Sequence, residues 1–151
     1  MADRQRSRVY AWEDRAISPH DASIIAFPAA QGIVDAIWSE MGLLYPPRVE
    51  RLPFQARCRI ADADRLTIRM PQTIPSWCLL HEIAHAMTTT IDGHSDGHGP
   101  AFMNVYLDLL VRYLRLNAID VRLDAVRAGL KICSGASKAL FVDCQYEITR
   151  S

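Results

Sequence analysis

An excess of charge of either sign is missing from this 151-residue chain, where Lys+Arg and Asp+Glu both number 17. A domain-wide basic surface of the kind that binds nucleic acid is therefore not expected, and a nucleic-acid partner is disfavoured. No apolar run approaches the roughly 20 residues that cross a bilayer, so no membrane association is expected. The opening MADRQRSRVYAWEDR is basic, but no apolar stretch follows it, which argues against a secretory signal. The four cysteines (Cys58, Cys78, Cys133 and Cys144) form no CxxC pair. Without an export signal they are expected to be reduced thiols, and the protein cytoplasmic. Internal repeats, low-complexity tracts and linkers are absent too, so residues 1–151 are expected to fold as one domain. Apolar residues at 50% and charged residues at 23% suit a soluble globular chain with a single core.

The elements that can be placed alternate between helical and extended. RVYAWE (8–13) alternates and is rich in β-formers, which predicts a strand. Ser18-Pro19-His20-Asp21 marks a turn or helix start. Apolar residues from Ile24 to Met41 recur at helical spacing. With Pro28 as a breaker and Gly42 as a stop, they predict a helix over about 29–42. QARCRI and RLTIRM, separated by ADAD, predict a hairpin. A clear helix follows from near Ser76, with Gly93 as its expected stop. Another is expected from Gly99-Pro100 to about Leu116, with proline at the favoured first position. DVRLDAVRAG predicts a short helix capped by Asp120 and closed by Gly129. The last twenty residues fit strand and helix equally.

Four of the five histidines fall within residues 81–102, HEIAHAMTTTIDGHSDGHGPAF. His81-Glu82-Ile83-Ala84-His85 has the HExxH pattern. On an α-helix, positions i and i+4 share a face one turn apart, so His81 and His85 can aim both imidazoles at one ion. Glu82 lies about 100° around the helix, out of place as a ligand but able to reach a water on that ion. There it can take the water's proton as general base and return it to a leaving group. The rest of the helix, including Leu79, Leu80, Ile83, Ala84 and Met87, is apolar. Burying this polar stripe without a partner would be costly.

Catalytic zinc normally takes three protein ligands and a water. Asp92, His94, Asp96 and His98 are the downstream candidates. No glutamate occurs between Glu82 and Glu147, so a third-ligand glutamate on the next helix is unavailable. The compact HExxHxxGxxH arrangement fails as well, with Thr88 and Ile91 in place of its glycine and third histidine. His98 is favoured over His94 because it immediately precedes the Gly99-Pro100 helix start, and rigid elements hold ligand geometry better than loops.

HEIAHA followed by GHGPAF resembles the SprT-like zinc metallopeptidase domain, a zincin. More narrowly, the chain resembles short bacterial and phage-borne metallohydrolases with a VYxWE-like opening. The likeness rests on residues 81–102. It implies His81, His85 and His98 as ligands of one zinc ion per chain and Glu82 as the catalytic acid/base. Gly97, Gly99, Pro100 and Phe102 match the flanking pattern. Many SprT-like proteins carry a cysteine-based zinc ribbon after this domain. Here only Cys133 and Cys144 follow, so the ribbon and the route to DNA that it offers are missing.

Several other residues have a plainer role available. Cys78, on the same stripe as His81, fits a small buried core residue. Asp92 could orient a ligand imidazole, and fits a helix-end surface residue better. Tyr106 and Tyr113 could donate to an oxyanion but suit the core face of their helix. Arg57, Arg59, Arg65 and Arg69 alternate as one solvated sheet face, and His20 stands alone. The expected fold is α+β, a minimal zincin-like domain with helices on a small sheet. The expected function is zinc-dependent hydrolysis of a peptide or protein substrate. In many zincins the substrate backbone pairs with the edge strand beside the cleft, for which RLTIRM is the candidate here. Two alternatives remain open: an SprT-like protease acting on DNA-bound proteins, and a non-catalytic zinc-stabilised binding or sensor domain. The latter would be closed by Cys78, Asp92 or His94 as a fourth ligand. Oligomeric state has no signal in the sequence.

Overall fold

A computed structural model describes residues 3–53 and 61–133. In chain order the elements are α1 (Arg6–Trp12), β1 (Ile24–Ala26), α2 (Phe27–Glu40), β2 (Arg48–Arg51), β3 (Asp62–Ala63), β4 (Thr67–Met70), β5 (Thr73–Pro75), α3 (Ser76–Met87), α4 (Pro100–Leu114) and α5 (Ala118–Arg127). The mixture of helices and two small sheets is compatible with the expected α+β class. None of the described helices is long and apolar enough to cross a membrane.

The opening segment overturns its predicted strand. Residues 8–12 belong to α1, which widens into a π-helical turn over Glu13–Ile17 and tightens into a 3-10 turn at Ser18–His20. Gln5, Val9, Glu13 and Ile17 recur every four residues and are all buried. That helical period outlasts the short alternating window that suggested a strand.

Two strand-to-helix junctions set the position of the central helix. β1 and β5 pair antiparallel, with Ile25 opposite Ile74. Each strand runs directly into a helix, β1 into α2 and β5 into α3. Phe27 N donates to Gln72 O (2.9 Å) and Ser76 N to Ser23 O (3.0 Å), so the ribbon reaches both helix starts. Pro28 sits in the first turn of α2, where its missing N–H costs no helical bond, so the helix begins before residue 29. Gly42, at φ +76°, lies just beyond the end of that helix.

The second sheet has the order β2-β4-β3, with β2 parallel and β3 antiparallel to β4. An antiparallel hairpin onto β4 is present as expected, but its turn and the place of β4 in the sheet are corrected. The antiparallel partner of β4 comes from ADAD itself, because Asp64 Oδ1 accepts from Leu66 N and Thr67 N (both 2.9 Å) and moves the turn later. Residues 55–60, the proposed first hairpin strand, lie outside the described residues. RLTIRM is also not an edge: β4 is flanked on both sides, and β3 ends the described order. Among the described residues, Arg65 also departs from the expected solvated arginine face. Arg65 is buried over the Trp38 ring (4.8 Å) and donates to Leu44 O and Tyr45 O. Arg69 forks onto Asp62 at 2.8 and 2.5 Å. Arg57 and Arg59 lie outside the described residues.

α3 packs against α4 on one flank and β3, β4 and β5 on another. Its residues from Trp77 to Met87 are buried except His85, the all-round burial of a core helix. Each large apolar side chain there, such as Leu79 or Ile83, contributes about 1.5–3 kcal/mol by leaving water. The helix stops at Met87 rather than near Gly93. Thr88 Oγ1 donates to Ala84 O (2.8 Å) and Thr89 Oγ1 to His85 O (2.6 Å), occupying the last carbonyls. α4 begins at Pro100 behind Gly99 as expected. α5 is capped by Asn117 instead of Asp120, the amide oxygen accepting from Ile119 N and Asp120 N (both 3.0 Å).

Candidate metal centre

The three Nε2 atoms of His81, His85 and His98 form a nearly equilateral triangle with sides of 3.1, 3.2 and 3.2 Å. Helix geometry supplies one side, since His81 and His85 are one turn apart on α3. The third corner comes from the α3–α4 connection. Among the described residues these three are the group close enough to hold one metal ion.

The GHGP segment owes its glycines to two carboxylates. Gly97 has φ +64°, and a Cβ there would stand 2.7 Å from Asp3 Oδ2. A Cβ on Gly99 would stand 2.6 Å from Asp96 Oδ2. Asp96 in turn accepts from Ala101 N (2.7 Å) and Phe102 N (3.3 Å), capping the start of α4 from three residues before Gly99. The backbone of His98 is thus set between a fixed helix start and the N-terminal segment. Phe102, one turn into α4, floors the site. Its ring stacks on His85 (4.3 Å between centroids) and meets His81 and His98 edgewise at 4.9 and 5.1 Å.

The outer ring nitrogens show how the triangle is oriented. His81 Nδ1 donates to Glu13 Oε2 (2.5 Å), and Tyr106 Oη donates to the same oxygen (2.7 Å). His98 Nδ1 donates to Asp3 Oδ2 (2.6 Å). With the proton on Nδ1, both Nε2 atoms turn lone pairs into the triangle. The His81 and His98 lone pairs then face each other at 3.2 Å and repel unless a cation lies between them. This is the arrangement in which carboxylates orient metal-ligating histidines. His85 has no carboxylate behind it among the described residues. Burial above all holds its pKa well below the ordinary imidazole range, leaving it neutral as a ligand must be.

Glu82 is 7% exposed and borders an open cleft of about 400 Å³ together with all three histidines. The cleft is also lined by Ala61–Asp64, including β3, by Asp3, Arg6 and Tyr10, and by the loop around Gly93 and Gly97. Burial, followed by the charges of Glu13 and Asp62, pushes the Glu82 carboxyl up to about 8. A divalent cation in the triangle would act in the opposite direction by favouring the carboxylate.

The remaining candidates fall outside the cluster. Cys78 is buried in the core. His94 and Asp92 pair with each other on the surface, their side chains 81% and 72% exposed. Asp92 therefore orients no ligand imidazole. Tyr106 is a fully buried core residue whose hydroxyl serves Glu13, while Tyr113 Oη donates to Glu40 (3.1 Å). Glu13 and Asp3 were not expected at the site. Glu13 had a sequence signal: it falls four residues from both Val9 and Ile17, an acid in an apolar helical stripe, which needs a buried partner. Asp3 has no comparable local signal. No family model, curated protein or solved structure matches the chain.

Proposed function

We propose that the chain is a zinc-dependent hydrolase, a metallopeptidase of the SprT-like, zincin-like kind that its HExxH and GHGPxF motifs resemble. The observation that carries this reading is the triangle of Nε2 atoms with Glu82 beside it on an open cleft. The donor set fits zinc. Nitrogens bound to one tetrahedral zinc at about 2.0–2.1 Å stand ~3.3–3.4 Å apart, and the three imidazoles already stand at 3.1–3.2 Å.

Bound there, zinc would supply Lewis-acid polarisation of a carbonyl and acidify a water. His81, His85 and His98 would hold it through Nε2. Glu82 takes the proton of the attacking water and delivers it to the departing amine, so that it ends the cycle as it began. The side of the cleft carrying β3 is where an extended peptide would lie, its backbone antiparallel or parallel to Asp62–Ala63. This moves the substrate-pairing role from RLTIRM to the strand next to it. A closed four-ligand clamp is less well supported, because Cys78, Asp92 and His94 stay out of the cluster.

The test is Glu82→Gln in the zinc-loaded chain, assayed on a casein or peptide-library substrate. Zinc content should stay at one per chain while hydrolysis falls by about 10²–10⁴-fold, the usual contribution of a positioned acid/base. Undiminished hydrolysis would overturn the mechanism, and a zinc-loaded wild type that cleaves nothing would overturn the enzyme reading.

A further inference from the structure

The N-terminal segment touches the histidine site at more points than any sequence motif suggested. Asp3 lies before α1 and Glu13 just after it, and each takes the outer nitrogen of a different ligand. Between them the Tyr10 ring stacks beside His81 (6.2 Å) and meets His98 edgewise (5.2 Å). Gln5, which is buried, donates to His98 O (2.9 Å) and accepts from Lys131 N (2.6 Å). Asp3 Oδ1 also accepts from His98 N (3.2 Å), so both the backbone and the ring of His98 rest on this segment.

We infer that residues 3–13 form a clasp whose docking is coupled to metal binding, with Asp3 and Glu13 as the positioning residues that act through His98 and His81. This rests on the reading of the histidine triangle as a metal site. The physical ground is the pair of Nδ1–H···carboxylate bonds. Each selects the tautomer that leaves Nε2 free to ligate and fixes the plane of its ring. A cation on Nε2 makes the Nδ1 proton more acidic and its bond to the carboxylate stronger, so the ion tightens the clasp as the clasp tightens the ion. Linkage makes the two effects equal in size. His85 differs from its two neighbours: its position comes from α3 and from the Phe102 ring, not from the clasp.

Glu13→Gln separates charge from shape, whereas Asp3→Asn removes the charge and also the bond from His98 N, because one amide oxygen replaces two accepting carboxylate oxygens. Each new amide keeps a carbonyl oxygen able to accept from the imidazole N–H. In Glu13→Gln that oxygen can still accept from Tyr106 as well, so the full-length chain should fold. The measurements are zinc affinity by chelator competition, thermal midpoint without metal, imidazole ¹⁵N spectra of the metal-free protein, and hydrogen exchange over residues 5–13 with and without zinc. Each variant should bind zinc about 10–100-fold more weakly, the usual effect of losing a carboxylate behind a ligand. The metal-free midpoint should change little. In the wild type the spectra should show His81 and His98 with the proton on Nδ1, and zinc should slow exchange over residues 5–13. In the double variant that slowing should shrink.

Wild-type affinity in both variants, or exchange that ignores zinc, overturns the clasp. So does a loss of affinity matched by an equal loss of metal-free folding, which would make these carboxylates part of the fold alone. A wild type that binds zinc but cleaves nothing leaves the clasp standing and removes the hydrolase reading; a wild type that binds no zinc removes both.

Discussion

His94 and His98 are four residues apart in the α3–α4 connection, and their side chains are 81% and 8% exposed. His94 faces Asp92 at 3.2 Å, and both belong to the surface. Behind His98 stand Asp3, Gln5 and the capped start of α4, and in front of it are two more imidazoles. The two ends of one loop therefore show what turns a histidine into a candidate ligand. The ring itself is the same; the difference is a backbone held by a helix start and an acceptor on the outer nitrogen.

The strongest way to break this comparison is to remove each histidine in turn. His98→Ala should cost zinc affinity on the order of 10³-fold or more, because the ~10–16 kcal/mol typical of a bound zinc is shared among few ligands. His94→Ala should leave it unchanged. Chelator competition measures both, and the reverse ranking would reassign the third ligand. The floor beneath the site comes next. Phe102→Ala should destabilise the metal-free fold by about 3–5 kcal/mol, the range for emptying a buried aromatic position, while Ile91→Ala on the exposed part of the loop should do far less. Denaturant unfolding reads both; equal effects would mean that Phe102 is not the packed support its contacts indicate. The smallest effect separates the two aspartates. Asp96→Ala should cost about 0.5–2 kcal/mol as a lost helix cap, and Asp92→Ala should leave the unfolding midpoint where it was.

Much of the site was legible because its spacing is local. HExxH on an apolar run implied a helix with two histidines on one face, and α3 has that form. Gly99-Pro100 implied a helix start, and α4 begins there. The misreadings share a different cause. RVYAWE alternates over six residues, yet the burial of Gln5, Val9, Glu13 and Ile17 follows a four-residue period that only a longer window reveals. RLTIRM has the composition of any short strand, and composition does not say whether a strand is central or terminal in its sheet. Arg65 looks like a surface cation by residue type. Its planar guanidinium nevertheless lies over Trp38 and holds the carbonyls of Leu44 and Tyr45, a role set by the turn it meets.

The sequence by itself determined the pair His81 and His85, the place of Glu82 beside them, and the helix start that carries His98. These follow from the 3.6-residue turn and from glycine and proline chemistry, which act over a few residues. Only the tertiary structure decided that β3 and not β4 borders the cleft, that Phe102 floors all three rings, and that Glu13 and Asp3 stand behind His81 and His98. Those carboxylates lie 68 and 95 residues from the imidazoles they hold. Packing of α1 against α3 and α4, through Tyr10 on His81 and Trp12 on Tyr106, brings them there. No spacing rule along the chain spans that distance.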